Sequence, residues 1–188
     1  MALITKWGYS VDVDGALPPI LTLSDFDSMG GAEFSATDAA KKATLAAVSA
    51  AVRDYCGWHV APKLECTVDI PADGDSVLPF MGVDGSTYEE SDARTVARYV
   101  SCGGVVTRRS MHMRTVTVSA GYDDLSVLAQ VCYQLAANHL VATAGLREEH
   151  VGTAGATYNQ TDNGVSGGVR LLDSDRALLA PYRITGVV

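Results

Sequence analysis

The stretch Ala50-Ala51-Val52-Arg53-Asp54-Tyr55-Cys56-Gly57-Trp58-His59-Val60-Ala61-Pro62-Lys63-Leu64-Glu65-Cys66-Thr67-Val68-Asp69-Ile70 changes its hydrophobic period in the middle. Up to Cys56, apolar residues recur at helical spacing. Leu45, Val48, Val52, Tyr55 and Cys56 form one stripe, and the alanines between them let another helix approach closely. From Leu64 onward the period is two: Leu64, Cys66, Val68 and Ile70 alternate with Glu65, Thr67 and Asp69, as a strand with one buried face requires. Gly57 stands where a left-handed residue ends a helix, and Trp58 follows at the position whose side chain commonly folds back onto the last turn. Tyr55, Gly57 and Trp58 are therefore the structural helix-stop, which Pro62 completes.

Toward the N-terminus, Ser35 can cap the free amides and Asp38, three residues on, favours the positive end of the dipole, so a helix is expected over 35–56. Residues 1–34 show no sustained period and are read as an arm, with a short turn near Ser24-Asp25-Phe26. Toward the C-terminus, 63–120 reads as an antiparallel β-module. Strands are expected at Ser76 to Met81, Thr95 to Val100, Val105 to Arg108 and His112 to Ser119, with turns at Asp73-Gly74, Asp84-Gly85 and Gly103-Gly104. A second long helix is expected over 123–144, capped by Asp123 or Asp124, with Leu125, Leu128, Cys132, Leu135 and Leu140 on its apolar face. Residues 145–170 are a glycine-rich loop, long for a silent connection. A C-terminal helix and tail occupy 171–188, with Asp173 or Ser174 as cap and Pro181 keeping the helix short or kinked. The fold class is α+β: a small helical bundle with an inserted antiparallel β-module, made of an arm (1–34) and one domain (35–188).

Composition bounds the function. At 188 residues, 47% hydrophobic and 19% charged, the chain is long and apolar enough to fold without metals or disulfides. A formal net charge of −8 argues against a nucleic-acid groove, which needs Lys and Arg to displace phosphate counterions. Arg108-Arg109, with Arg114 nearby, is the one local basic cluster and reads as a solvated strand edge. Cys56, Cys66, Cys102 and Cys132 have no paired spacing and are expected to be free thiols in a reducing compartment. No apolar secretory region or membrane-length stretch is visible, so synthesis in the cytoplasm and no membrane partner are expected.

Several motifs imitate catalytic or metal sites. Gly164-Val165-Ser166-Gly167-Gly168 matches the nucleophile elbow of serine hydrolases, yet polar loop residues precede it and His59, His112, His139 and His150 all lie upstream, so the Ser, Asp, His order cannot be completed. A hydrolase using Ser166 is the weaker alternative. Cys56-x-x-His59 is half of a zinc site without a second pair, and Cys132 and His139 are too far apart on one helix to share an ion. Glu89-Glu90 and Glu148-Glu149 read as solvated acids in polar turns. No catalytic, metal or cofactor-binding residue is expected.

Three segments together carry a family resemblance: Ala50 to Pro62, the strand Val116-Thr117-Val118-Ser119-Ala120-Gly121-Tyr122 leading into a long helix, and Leu171-Leu172-Asp173-Ser174-Asp175-Arg176-Ala177-Leu178-Leu179-Ala180-Pro181-Tyr182-Arg183. In order and spacing, over about residues 36–185, the chain resembles the head-to-tail connector (adaptor, head-completion) proteins of long-tailed bacteriophages. The resemblance implies a small helical bundle with a β-hairpin or β-module after the first long helix. It also implies a dodecameric ring beneath the capsid portal at the head-tail junction of the virion. The implied partners are further copies of the chain, the portal protein and a tail-side connector or tail-terminator protein. DNA would pass through without specific binding, along a wall whose acidity lets it slide. Leu178, Leu179, Tyr182 and Arg183 become candidates for the portal or subunit interface. Another virion part, a tail-completion or tail-terminator protein, is the alternative reading. The long N-terminal arm and enlarged β-block depart from the shorter members of the family.

Overall fold

The computed structural model describes residues 2–73, 76–102, 105–123, 126–143, 148–151, 154–157, 169 and 171–184. The protein is mixed α+β, with four α-helices, a six-stranded antiparallel sheet and a separate two-stranded hairpin among these residues. It divides into two compact units, one of residues 1–17, 58–123 and 184–188, the other of residues 18–57 and 124–183.

The first unit is the sheet: β1 (Ala2–Ile4), β2 (Ser10–Asp12), β3 (Leu64–Pro71), β4 (Asp84–Glu90), β5 (Arg94–Cys102) and β6 (Val105–Ala120). The order is β1-β2-β3-β6-β4, with β5 also paired to β6. The alternation expected of Leu64 to Ile70 takes this form: Cys66 pairs with Val118 and Val68 with Val116, all four buried. On the other face Thr67 and Thr117 meet through their hydroxyls at 3.1 Å. Several expectations differ from the structure. Residues 1–34, read as an arm, supply β1 and β2, and β2 adds to the sheet with Val11 opposite Cys66. Residues 76–81 form no strand. Phe80 instead anchors that segment, buried and edge-on to Tyr9 at 5.2 Å between ring centres. Asp84-Gly85 opens β4 rather than turning the chain, and 105–108 and 112–119 belong to one continuous 16-residue strand.

The second unit holds α1 (Leu23–Ser28), α2 (Asp38–Cys56), α3 (Ser126–Thr143), α4 (Asp173–Leu179) and the hairpin of β7 (Glu148–Val151) and β8 (Ala154–Thr157). The helices form because each presents one apolar face. Leu45, Val48, Val52 and Cys56 of α2 are buried, as are Leu128, Val131, Cys132, Leu135, Ala136 and Leu140 of α3, and α2 packs on both α3 and α4. Tyr55 is only half-buried. Polar groups of α2 fasten the preceding segment. The Arg53 guanidinium donates to the Pro18 carbonyl at 2.6 Å, Ser49 accepts from the Ile20 N–H at 2.9 Å, and Lys41 pairs with Asp27 at 3.1 Å.

Helix ends differ from expectation in detail. Thr37, not Ser35, caps α2, its hydroxyl accepting from the Ala40 N–H. A 3-10 turn at Gly31–Glu33 comes just before Ser35, and Phe34 stacks on Phe26. The expected stop is present: Gly57 is left-handed at φ 82° and its N–H donates to the Arg53 carbonyl at 2.8 Å. Within 145–170 the hairpin replaces part of the expected loop, and Glu148-Glu149 lie in its first strand rather than in a turn. Gly74, Gly103-Gly104, Asp124, Leu125 and the segment Gly164–Gly168 with Ser166 lie outside the described residues.

Candidate functional site

The C-terminal segment holds the interface residues that the resemblance implies. Helix α4 starts because the Asp175 carboxylate accepts from the Leu172 N–H at 2.9 Å, so the first turn carries its own anion while Arg176 sits in the last. The cap is thus Leu172, with Asp175 reaching back, rather than Asp173 or Ser174. Pro181 does not break the chain path, because α4 tightens into a 3-10 turn over Ala180–Tyr182 with proline in its first turn, where no N–H is required.

The four candidate interface residues separate. Leu179 is 0% exposed and belongs to the core of the helical unit, one turn beyond buried Asp175 on the same face. There it packs in the core and holds α4 in place. Leu178, next in sequence and so about 100° round the helix from Leu179, is 46% exposed. Tyr182 is half-buried and Arg183 exposed. The Arg183 guanidinium lies over the Tyr55 ring at 5.3 Å, and the Tyr55 hydroxyl donates to the Arg176 carbonyl at 3.1 Å. Sequence reasoning missed Leu172, 48% exposed at the start of α4; a large apolar residue beside a cap was the available signal.

The second polar constellation is in the sheet unit, around His59. This residue is buried, and both its ring nitrogens and its backbone N–H are engaged. Nε2 lies 3.0 Å from the Ala120 carbonyl, Nδ1 lies 2.9 Å from the Tyr9 hydroxyl, and the His59 N–H donates to that same hydroxyl at 3.0 Å. A carbonyl only accepts, so Nε2 carries the proton; the Tyr9 O–H then donates to Nδ1 while its oxygen receives the backbone N–H. Trp58 is buried beside it, edge-on to His59 at 5.1 Å and to Tyr122 at 5.9 Å. Trp58 therefore belongs with the sheet unit, whereas Tyr55 and Gly57 belong with the helices. Gly121, at φ 114°, closes the cluster. A Cβ there would lie 2.8 Å from the Pro62 carbonyl oxygen and 3.0 Å from Nε2 of His59.

Val60 marks how tightly this corner is determined. It is a buried, β-branched residue held at φ 62°, a conformation that such side chains rarely adopt. Its carbonyl accepts from the Tyr122 N–H at 3.0 Å, while the Ala61 N–H donates to the His59 carbonyl at 2.7 Å. The arrangement is a satisfied polar core that fixes the start of the sheet unit.

Chemically these groups are quiet. Burial pushes the thiols of Cys56, Cys66 and Cys132 up to about 12, so each stays protonated at neutral pH. The second influence differs between them: Arg183 and Arg53 pull Cys56 and Cys132 down, while Glu65 raises Cys66 further. Among the described residues no group of three His, Cys, Asp or Glu is placed to hold a metal ion, and no helix is long and apolar enough to cross a membrane. Compared with known proteins, the chain matches no protein-family model and no curated sequence.

Proposed function

We propose that the chain is a structural subunit of a bacteriophage head-to-tail connector. In this reading it forms a ring that joins the capsid portal to the tail and continues the DNA channel, without catalysis or cofactor. The supporting observation is that two distant segments on which the resemblance rests meet in the helical unit. The helix-stop residue Tyr55 holds the Arg176 carbonyl through its hydroxyl and receives the Arg183 guanidinium on its ring. A C-terminal segment fixed in this way by α2 presents Leu178 and Arg183 outward on a defined base, as a multivalent symmetric contact needs. Leu178, Tyr182 and Arg183 are the interface residues of this reading, supplemented by Leu172.

Its partners are further copies of the chain, dodecameric by the resemblance, then the portal and a tail-side connector or terminator. DNA passes through without specific contacts. The protein is made in the host cytoplasm and resides at the head-tail junction of the virion. Electron microscopy of the purified protein, alone and mixed with portal, tests this: closed dodecameric rings seated on the portal are expected. Rings of another symmetry that cap tail tubes instead would make it a tail-terminator. Covalent labelling of Ser166 by a fluorophosphonate would replace the structural reading with a hydrolase.

A further inference from the structure

Charge is segregated along the sheet. Residues 64–92 contain eight Asp and Glu and no Lys, Arg or His. Residues 93–122, which include β5 and β6, contain five Arg and no Asp or Glu, in a chain whose net charge is −8. Part of this opposition is resolved inside the sheet, where Arg94 pairs with Asp69 at 2.8 Å and Arg114 with Glu90. Both pairs lie at the level where β3 still flanks β6.

Beyond that level the sheet narrows. The β3 ladder ends at Pro71 opposite Met113, followed by one further bond from the Ala72 N–H to the His112 carbonyl. From Val105 to Met111, β6 pairs with β5 alone among the described residues, and β5 has no other neighbour. At about 3.3 Å per residue this is a two-stranded ribbon of roughly 23 Å. Arg98, Arg108 and Arg109 fall within it, and the register sets Arg98 opposite Arg109. A two-stranded ribbon with no further strand beside it is marginal in water. Such a violation of stability rules is expected where a segment serves a partner.

We propose that this ribbon docks on the acidic 64–92 segment of a second copy of the chain, making a head-to-tail contact between subunits. The partner is chosen by complementarity: acidic residues opposite in sign to the arginines are on the chain itself, and Asp73 and Asp92 among them are exposed. A surface meeting a different surface is heterologous and closes into rings when its rotation permits. The inference rests on the ring-forming reading above and supplies one of its subunit contacts.

Sedimentation of the full chain at about 0.05 M and about 0.5 M salt reads the contact, because exposed charges are screened over that range. Association should weaken with salt, and Arg98→Glu with Arg109→Glu should weaken it roughly tenfold or more at low salt. Asp73→Lys with Asp92→Lys should do the same, and mixing the two double variants should restore association, which also shows that both are folded. Association indifferent to salt and to both variants overturns the inference, and if dodecameric rings still seat on portal the connector reading survives it. Rings absent on portal while mixed variants still rescue each other would remove the connector reading and leave the contact. Binding of random-sequence duplex DNA that is lost in Arg98→Glu with Arg109→Glu, with self-association unchanged, would assign the ribbon to nucleic acid and overturn the inference.

Discussion

The two halves of β6 make the same backbone ladder and are held for different reasons. Residues 113–120 run beside β3, with β4 on the other side of residues 116–119, and Met113, Val116, Val118 and Ala120 are buried. Residues 105–112 have only β5 beside them apart from the single bond at His112. A backbone hydrogen bond contributes about 1 kcal/mol net in either half, and burial of Val116 and Val118 adds roughly 1.5–3 kcal/mol each in the root. Root and ribbon thus differ in their strand neighbours: the root fixes where the ribbon begins and in which register, and the ribbon has one strand beside it among the described residues.

Substitutions should reproduce that division. The largest effect is expected under the root, where Trp58→Ala removes a fully buried indole from the His59 and Tyr122 rings and should cost roughly 3–5 kcal/mol. An unchanged melting temperature would reject the packing described. Tyr9→Phe keeps the ring but leaves Nδ1 and the N–H of His59 without the hydroxyl they share, a loss of about 1–3 kcal/mol readable by urea titration.

Alkaline pH probes the same core through Cys66. Its folded thiol holds the proton to about 12 against an ordinary 9.0, so the folded state binds more protons between those values. Stability from this group is complete below about pH 9 and falls as pH rises toward about 12, and Cys66→Ala should flatten part of that fall in urea midpoints. The smallest effect belongs to the ribbon: Thr95→Ala, at an exposed position opposite His112, should lower stability by no more than about 0.5 kcal/mol. A loss there as large as that of Tyr9→Phe would erase the distinction between root and ribbon.

Local patterns were legible where one element was long enough to show its period. Gly57 as a helix stop, the Leu45 to Cys56 stripe and the Cys66/Val68 alternation all follow from spacing within a few residues. The β1 and β2 strands are three residues each, too short for period two to be recognisable, and their pairing partner β3 lies far along the chain. Asp84-Gly85 and Glu89-Glu90 have poor strand propensity, and pairing to β6 overrides it. Ser35 and Thr37 are both good caps, and chemistry alone does not choose between them. At the C-terminal site, adjacent leucines gave no sign of which would be buried; that depended on the face α4 turns inward. The Tyr9–His59 pair was invisible because fifty residues separate its members.

The division into units is not a division of the chain into consecutive pieces. The sheet unit takes residues from the start of the chain and from its middle, and the helical unit takes residues on both sides of that middle segment. During synthesis β2 emerges long before β3 can receive it, and α2 is complete long before α3 appears. Neither unit can finish until most of the polypeptide has left the ribosome, so early termination should yield no partial product with a closed core. Quality control then meets a truncated chain with both cores open, and passes one in which both have closed.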